Sequence, residues 1–324
     1  MRFIHITQYD EQLMMLAKPV YDRFRRILLS ANSRINPKYL DKLKEIGIHS
    51  LIVEDAISKG ITMEELVDMP TWMDVIQTLN ETYDAVQTKK PFPLKNVQAA
   101  IGKLILETRQ RSLVLPIPAS SVATELKPYA HSVNVAILAL QVAKGLNYND
   151  MMLRDLALGC LLHDIGKAVT ADSKKHPEEG FEVIRRVREA SLLSAHIAFQ
   201  HHERVDGTGY PRGIAGKDFH EYAQICGMCN RYENMTSAEG IPSHDAIERL
   251  MALSGSAYDV HLLHAFVTSV PSYPPGSKVL LNNGKYAIVT KIVSHMQRPM
   301  VRYLETEEEL LLADHPTVMV TQTI

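Results

Sequence analysis

The chain has 324 residues, 46% of them hydrophobic and 22% charged, with 35 Lys+Arg against 37 Asp+Glu. This length and composition exclude a disordered or collagen-like chain and suffice for two or three domains with cores. A net charge of −2 gives no field that would draw the whole molecule to DNA, RNA or a membrane surface, so any phosphate binding must be local.

The N-terminal part mixes short strands with helices. Phe24–Ser30 and Ser50–Val53 read as strands, and between them Pro37 opens a helix that closes at Gly47. Leu40, Leu43 and Ile46 are spaced three apart, which predicts one face packed on the sheet. Helical stretches follow around 63–88 and 94–111, separated by the break KKPFP. Residues 1–115 are therefore expected to form a small α/β domain of regulatory type.

After a second break at 115–128 the texture becomes helix upon helix. Val133, Ile137, Leu140 and Ala143 make one apolar stripe, and Met152, Leu153, Leu156, Leu158 and Leu161 a broader one. This helical domain, residues 116–270, ends at the linker PSYPPG. The remainder, 271–324, alternates as short strands (KVLLNN, YAIVTKIV, PMVRYL, TVMVTQTI) with a turn at Gly284-Lys285. The expected class is mainly α, a helical bundle flanked by a small α/β domain and a small β module.

No apolar run is long enough to span a membrane, and the first ten residues lack the pattern of a signal peptide. Three cysteines are too few for a disulfide framework, so the expected location is the cytoplasm. Cys226 and Cys229 form a C-x-x-C without a second pair and read as small core residues.

Fourteen histidines are the anomaly of the composition, and five of them, His131, His163, His176, His201 and His202, fall in the helical domain in telling company. His163-Asp164 closes the apolar helix DLALGCLL, where a buried carboxylate beside an imidazole is costly unless a cation compensates it. The doublet His201-His202 can serve one site only at a helix end, or by giving each ring to a different edge of it. A dinuclear metal centre bridged by Asp164 satisfies both conditions. Mixed imidazole and carboxylate ligands suit Fe, Mn, Ni or Zn better than Mg or Ca. The other nine histidines, including His5, His49 and His196, require no special role; His261 and His264 are three apart but have no carboxylate partner.

The ordered string His131, LHDIGK (162–167), HPEEG (176–180) and HHERVDGTGYP (201–211) resembles the HD-GYP domain, a subclass of the HD phosphohydrolases. The resemblance covers about 121–270, with 32 residues from His131 to His163 and 25 from His176 to His201. It implies an HD-type bundle around divalent metals, often iron or manganese, that hydrolyses cyclic di-GMP through a metal-bound hydroxide. Two ions are expected. By position, His131, His163 and Asp164 would hold one metal, with Asn230 in the place of its last ligand. Asp164, His176, His201 and His202 would hold the second, and Lys167 would face the scissile phosphate. The loop with Asp206, Gly207, Gly209, Tyr210 and Pro211 would lie beside the nucleotide. The partners expected are thus a cyclic dinucleotide, protein partners of the N-terminal domain, and a second copy in a homodimer.

The sequence departs from the family pattern at the site. Asn230, in CNRYENMTS, stands where the family has an Asp, and Glu239 and Pro242 stand where it has phosphate-binding basic residues. Lys127 replaces the Glu that binds a third metal in some members, and the segment from His163 to His176 is short. The two readings are therefore a metal-dependent phosphodiesterase for cyclic di-GMP or a related cyclic dinucleotide, and a degenerate binding or signalling module.

Overall fold

The computed structural model describes residues 1–324. The chain opens with β1 (Arg2–His5), β2 (Met15–Leu16), the hairpin of β3 (Val20–Tyr21) and β4 (Ile27–Leu29), helix α1 (Pro37–Glu45) and β5 (Ser50–Glu54). The sheet is antiparallel in the order β1–β5–β2. Asn36 caps α1 by accepting from the Lys38 amide at 2.9 Å, and Pro37 sits in the first turn, where its missing N–H costs nothing. Leu43 joins the small core of Ile4, Ile48 and Leu51, with Leu40 packed at its edge. Ile46, expected in the same stripe, is 39% exposed, because the helix has already ended where the chain turns at Gly47.

Helices α2 (Met69–Gln87) and α3 (Leu94–Gln110) follow. The first begins later than the hydrophobic pattern suggested, since Asp68 caps it by accepting from the Thr71 amide at 3.0 Å and Pro70 lies in its first turn. Both helices share one continuous core with the central bundle, which Ile52 of β5 also joins.

The bundle consists of α4 (Lys127–Gly145), α5 (Asp150–Leu162), α6 (His176–Arg185), α7 (Leu192–Gln200), α8 (Glu221–Glu233), α9 (Ser243–Met251) and α10 (Val260–Ser269). Helix α4 is its hub. From Ser132 to Ala143 every residue is buried, so the single stripe read from the sequence is in fact apolar packing on all sides. Each large side chain so buried contributes on the order of 1.5–3 kcal/mol. The one amide within this run that serves the site is Asn134, which accepts from Trp72 Nε1 at 2.9 Å and donates to the Ile117 carbonyl.

The C-terminal module is a five-stranded antiparallel sheet of β6 (Lys278–Leu281), β7 (Tyr286–Lys291), β8 (Met300–Tyr303), β9 (Glu309–Leu311) and β10 (Val320–Thr323), in the order β10–β6–β7–β8–β9. Four of these strands follow the alternation of the sequence. β9 is three residues long and follows a run of glutamates, too short a pattern to register. Arg302 of β8 donates to the Ile57 carbonyl at 2.8 Å and ties this module to the N-terminal one. No helix is long and apolar enough to cross a membrane.

Candidate metal centre

Three helix ends and one helix interior deliver the five histidines to one place. His163 caps the C-terminus of α5 and His201 that of α7, His176 is the first residue of α6, and His131 projects from the second turn of α4. Asp164 leads into a tight 3-10 turn, Ile165–Ala168. A β-carbon at Gly166 would lie 1.9 Å from the His176 carbonyl oxygen, so only glycine lets the start of α6 rest on that turn. The doublet does sit at a helix end, as the geometry of adjacent helical residues requires.

The hydrogen bonds fix which ring nitrogens face inward. Nδ1 of His163 bonds the Cys160 carbonyl at 2.8 Å, Nδ1 of His176 the Ser173 carbonyl at 2.6 Å, and Nδ1 of His201 the Ala198 carbonyl at 2.8 Å. A carbonyl only accepts, so each Nδ1 carries the proton and each neutral ring turns a lone pair inward at Nε2. The His176 and His201 Nε2 atoms face each other at 3.3 Å. Asp164 lies among these lone pairs, with Oδ1 3.2 Å from His176 Nε2 and 3.8 Å from His201 Nε2, and Oδ2 3.5 Å from His163 Nε2. His163 Nε2 and Asp164 Oδ1 are buried without any hydrogen-bond partner. Acceptors aimed at acceptors in a buried site are unfavourable until a cation lies between them. The donors fall into two groups, His131, His163 and Asp164 on one side and His176, His201 and His202 on the other. The donor set therefore fits metal ions, with Asp164 at the junction of both groups.

Burial dominates the titration of His163, His201 and His202. It pushes His163 down to about 3 and His202 down to about 2, with the attraction of Asp164 too weak to offset it, and lowers His201 as well. Burial also works to raise Asp164, yet the positive charge around it, the paired Lys167 ammonium included, holds it well below the usual carboxylate range. A histidine depressed in the folded state binds protons mainly when unfolded, between its folded value and about 6.5. Stability is then fully present above pH 6.5 and is lost as the pH falls toward 3. The metal-free protein is expected to lose roughly 1 kcal/mol per pH unit for each such ring, lowering its Tm by several degrees between pH 7 and pH 5. Calorimetry after chelation checks this, and a flat Tm across that interval would show the rings to be solvated.

Glu233 acquires a role that the sequence did not show. It stands one turn beyond Asn230 on α8 and bonds His131 Nδ1 through Oε2 and Asn134 Nδ2, at 3.0 Å, through Oε1. Burial would lower the pKa of His131, but the hydrogen bond and charge of Glu233 raise it. Glu233 thus orients a ligand from behind, leaving His131 Nε2 for a metal. Glu233→Gln is expected to weaken metal binding about 10-fold, read by competition with a chromogenic chelator; unaltered affinity would remove this positioning role.

Asn230 is 7% exposed, and its Oδ1 accepts from Asn234 Nδ2 at 2.7 Å. With His131, Asp164, Lys167 and His202 it lines a cleft of about 800 Å³. Lys167 is half-exposed there and pairs with Asp164 Oδ2 at 2.5 Å. Glu239 also lines the cleft, but its charge is matched by Arg231 at 3.2 Å. Pro242 instead precedes α9 and lines a separate, mainly apolar cavity of about 620 Å³ between the three modules, which none of the five histidines reaches.

None of Asp206, Gly207, Gly209, Tyr210 and Pro211 lines the cleft. The Asp206 carboxylate is taken by the Thr208 amide at 2.9 Å and hydroxyl at 2.6 Å, while the Tyr210 ring stacks on His202 at 4.5 Å. The loop therefore backs a ligand. It is anchored by Glu203, 2% exposed, which accepts from the Arg212 amide at 2.8 Å and the Ile214 amide at 3.2 Å. Its place directly after the histidine doublet was the available signal. Cys160, Cys226 and Cys229 are all free and buried in the core.

The HD domain family matches residues 129–235, the segment that contains all five histidines. This part of the chain resembles an HD domain and carries the His/Asp cluster. A cyclic di-GMP phosphodiesterase of Pseudomonas aeruginosa is 33% identical over 181 residues, 50% of this chain and 44% of that protein. One from Thermotoga maritima is 26% identical over 164 residues, 44% of this chain and 45% of that protein. A 3'3'-cGAMP-specific phosphodiesterase of Vibrio cholerae is 32% identical over 125 residues, 34% of this chain and 29% of that protein. The chain spans less than half the length of these relatives. Among solved structures, an HDG"Y"P protein from Bdellovibrio bacteriovorus superposes with a TM-score of 0.53 at 18% identity, over 82% of this chain and 97% of that one, and shares the fold.

Proposed function

We propose that the protein is a metal-dependent phosphodiesterase that hydrolyses a cyclic dinucleotide, cyclic di-GMP first among them. The observation that carries this is the set of inward-facing Nε2 lone pairs around the buried Asp164 carboxylate, whose Oδ1 has no hydrogen-bond partner, at the floor of a cleft. His131, His163, Asp164 and Asn230 would hold one ion, and Asp164, His176, His201 and His202 a second, with iron or manganese favoured over nickel or zinc. When bound, such ions supply Lewis acidity toward a phosphodiester oxygen and lower the pKa of water. The chain's own residues do the rest. Lys167, at the cleft wall, balances negative charge on the phosphate, Glu233 holds His131, and Tyr210 steadies His202. The likeness to cyclic di-GMP and cGAMP phosphodiesterases supports the substrate class, and the three free buried cysteines suit a reducing cytoplasm.

One observation favours a second reading, a nucleotide-binding module without turnover: Asn230 offers a neutral amide oxygen that Asn234 already occupies. Metal analysis of anaerobically purified protein, followed by assay of cyclic di-GMP hydrolysis with Mn or Fe added, separates the two. About two ions per chain with turnover supports the enzyme; one ion or none and no turnover supports the binding module.

A further inference from the structure

The cleft has a second wall that the metal centre does not use. It is formed by His5 at the end of β1, His49 just before β5, Ser50, Ser120, and Lys127 at the start of α4. The other charges on the cleft are matched: Asp164 by Lys167, Glu233 by His131 and Glu239 by Arg231. Lys127 has no carboxylate partner, and burial alone lowers its pKa. It lies four residues before His131 on the same helix, hence on the same face and about 6 Å along the axis.

The groups around Lys127 are donors. The Nδ1 of His5 lies 2.7 Å from the Thr7 hydroxyl and 3.4 Å from the Thr7 amide, and in the tautomer that accepts from both the ring proton sits on Nε2. The His49 ring stacks parallel to His5, with centroids 6.0 Å apart, and is kept neutral by burial and by the nearby Lys127 and His5. The Ser50 and Ser120 hydroxyls bond each other at 2.6 Å, a pair in which one proton stays free. One ammonium, two imidazoles and a hydroxyl pair thus face a cleft whose other wall carries the metal ligands.

We propose that Lys127, His5, His49 and the Ser50–Ser120 pair form a second phosphate subsite, which holds the non-reacting phosphodiester of a cyclic dinucleotide while the metal centre acts on the other. This rests on the phosphodiesterase reading and deepens it: the N-terminal module completes the cleft. A cyclic dinucleotide carries two phosphodiesters in one ring, so seating one at the metals leaves a second anion nearby that needs compensation. The module is fastened where this requires it. The His49 amide donates to the Ser120 carbonyl at 2.8 Å and the Thr124 amide to the Ile46 carbonyl at 2.9 Å. Between them Gly47, at φ +87°, lies so close to Thr124 that a β-carbon would meet its hydroxyl at 1.9 Å.

The test compares the full-length wild type with Lys127→Ala, Lys127→Arg and His49→Gln. Equilibrium binding of cyclic di-GMP to the metal-free protein is measured together with KM and kcat of the metal-loaded protein for cyclic di-GMP and for the single-phosphate diester bis(p-nitrophenyl) phosphate. Lys127→Ala is expected to weaken cyclic di-GMP binding about 10-fold or more and to raise its KM in parallel, with a far smaller effect on the single-phosphate diester. Lys127→Arg should retain most of the affinity, and His49→Gln should lose several-fold. Wild-type affinity in Lys127→Ala, or equal losses on both ligands, would overturn the subsite. Lys127-dependent binding without turnover under any metal would leave the subsite standing and remove the phosphodiesterase reading. Hydrolysis of cyclic di-GMP with a KM that Lys127→Ala leaves at the wild-type value would do the reverse.

Discussion

Asp164→Ala is expected to lower phosphodiester hydrolysis about a thousandfold or more and to cut the bound metal from about two ions per chain to one or none. The size follows from position. Asp164 is the one carboxylate among the inward donors, and its two oxygens lie within 3.8 Å of three different imidazoles. Without it, either ion would face neutral rings only and lose the charge that stabilises it. A thermal readout distinguishes loss of the site from loss of the fold. In the metal-free wild type this carboxylate is ionised and pairs with Lys167, so removing it should lower the metal-free Tm by only a few degrees and leave one cooperative transition. Elemental analysis, turnover and calorimetry on the same preparation check all three. Retained metal and turnover would show that the histidines suffice.

The second large effect is a gain. Asn230→Asp is expected to tighten metal binding about tenfold or more and to raise turnover where metal is limiting, because a carboxylate replaces a neutral amide oxygen on the His131 side. The geometry accommodates it: the Asn234 amide nitrogen, now 2.7 Å from Asn230 Oδ1, can donate to a carboxylate oxygen as well. The same change puts another negative charge near Asp164 and Glu233, so the metal-free form should be less stable than wild type and the stabilisation on adding Mn larger. A metal titration followed by calorimetry reads both. If affinity and turnover stay at wild-type levels, Asn230 is not a ligand position.

Most of the site was legible because it is written in short contiguous motifs. His163-Asp164 and His201-His202 each end an apolar helix, and helix ends are where the sequence pattern changes visibly. Glu233 was hidden for the opposite reason: its partners His131 and Asn134 are 102 and 99 positions away, and only the packing of α8 against α4 brings them together. His5 and His49 were set aside because nothing in their local sequence marks them, and their place on the cleft depends on how the N-terminal sheet docks. The resemblance puts the loop 206–211 beside the nucleotide; in the structure its Tyr210 ring stacks on His202, and the Glu203 carboxylate accepts from the amides of Arg212 and Ile214 just beyond it. Amphipathic periodicity tells that one face of α2 and of α3 is buried, but not against what; the shared core with the bundle comes from the packing.

The bonds from His163 and His201 to carbonyls three residues earlier have a further consequence. The final carbonyls of a helix lack intrahelical partners, and here the ligand rings themselves satisfy one at the end of α5 and one at the end of α7. Finishing the helices and aiming the rings are therefore one event: a change that frays the last turn of α5 or α7 also turns an imidazole away from the site.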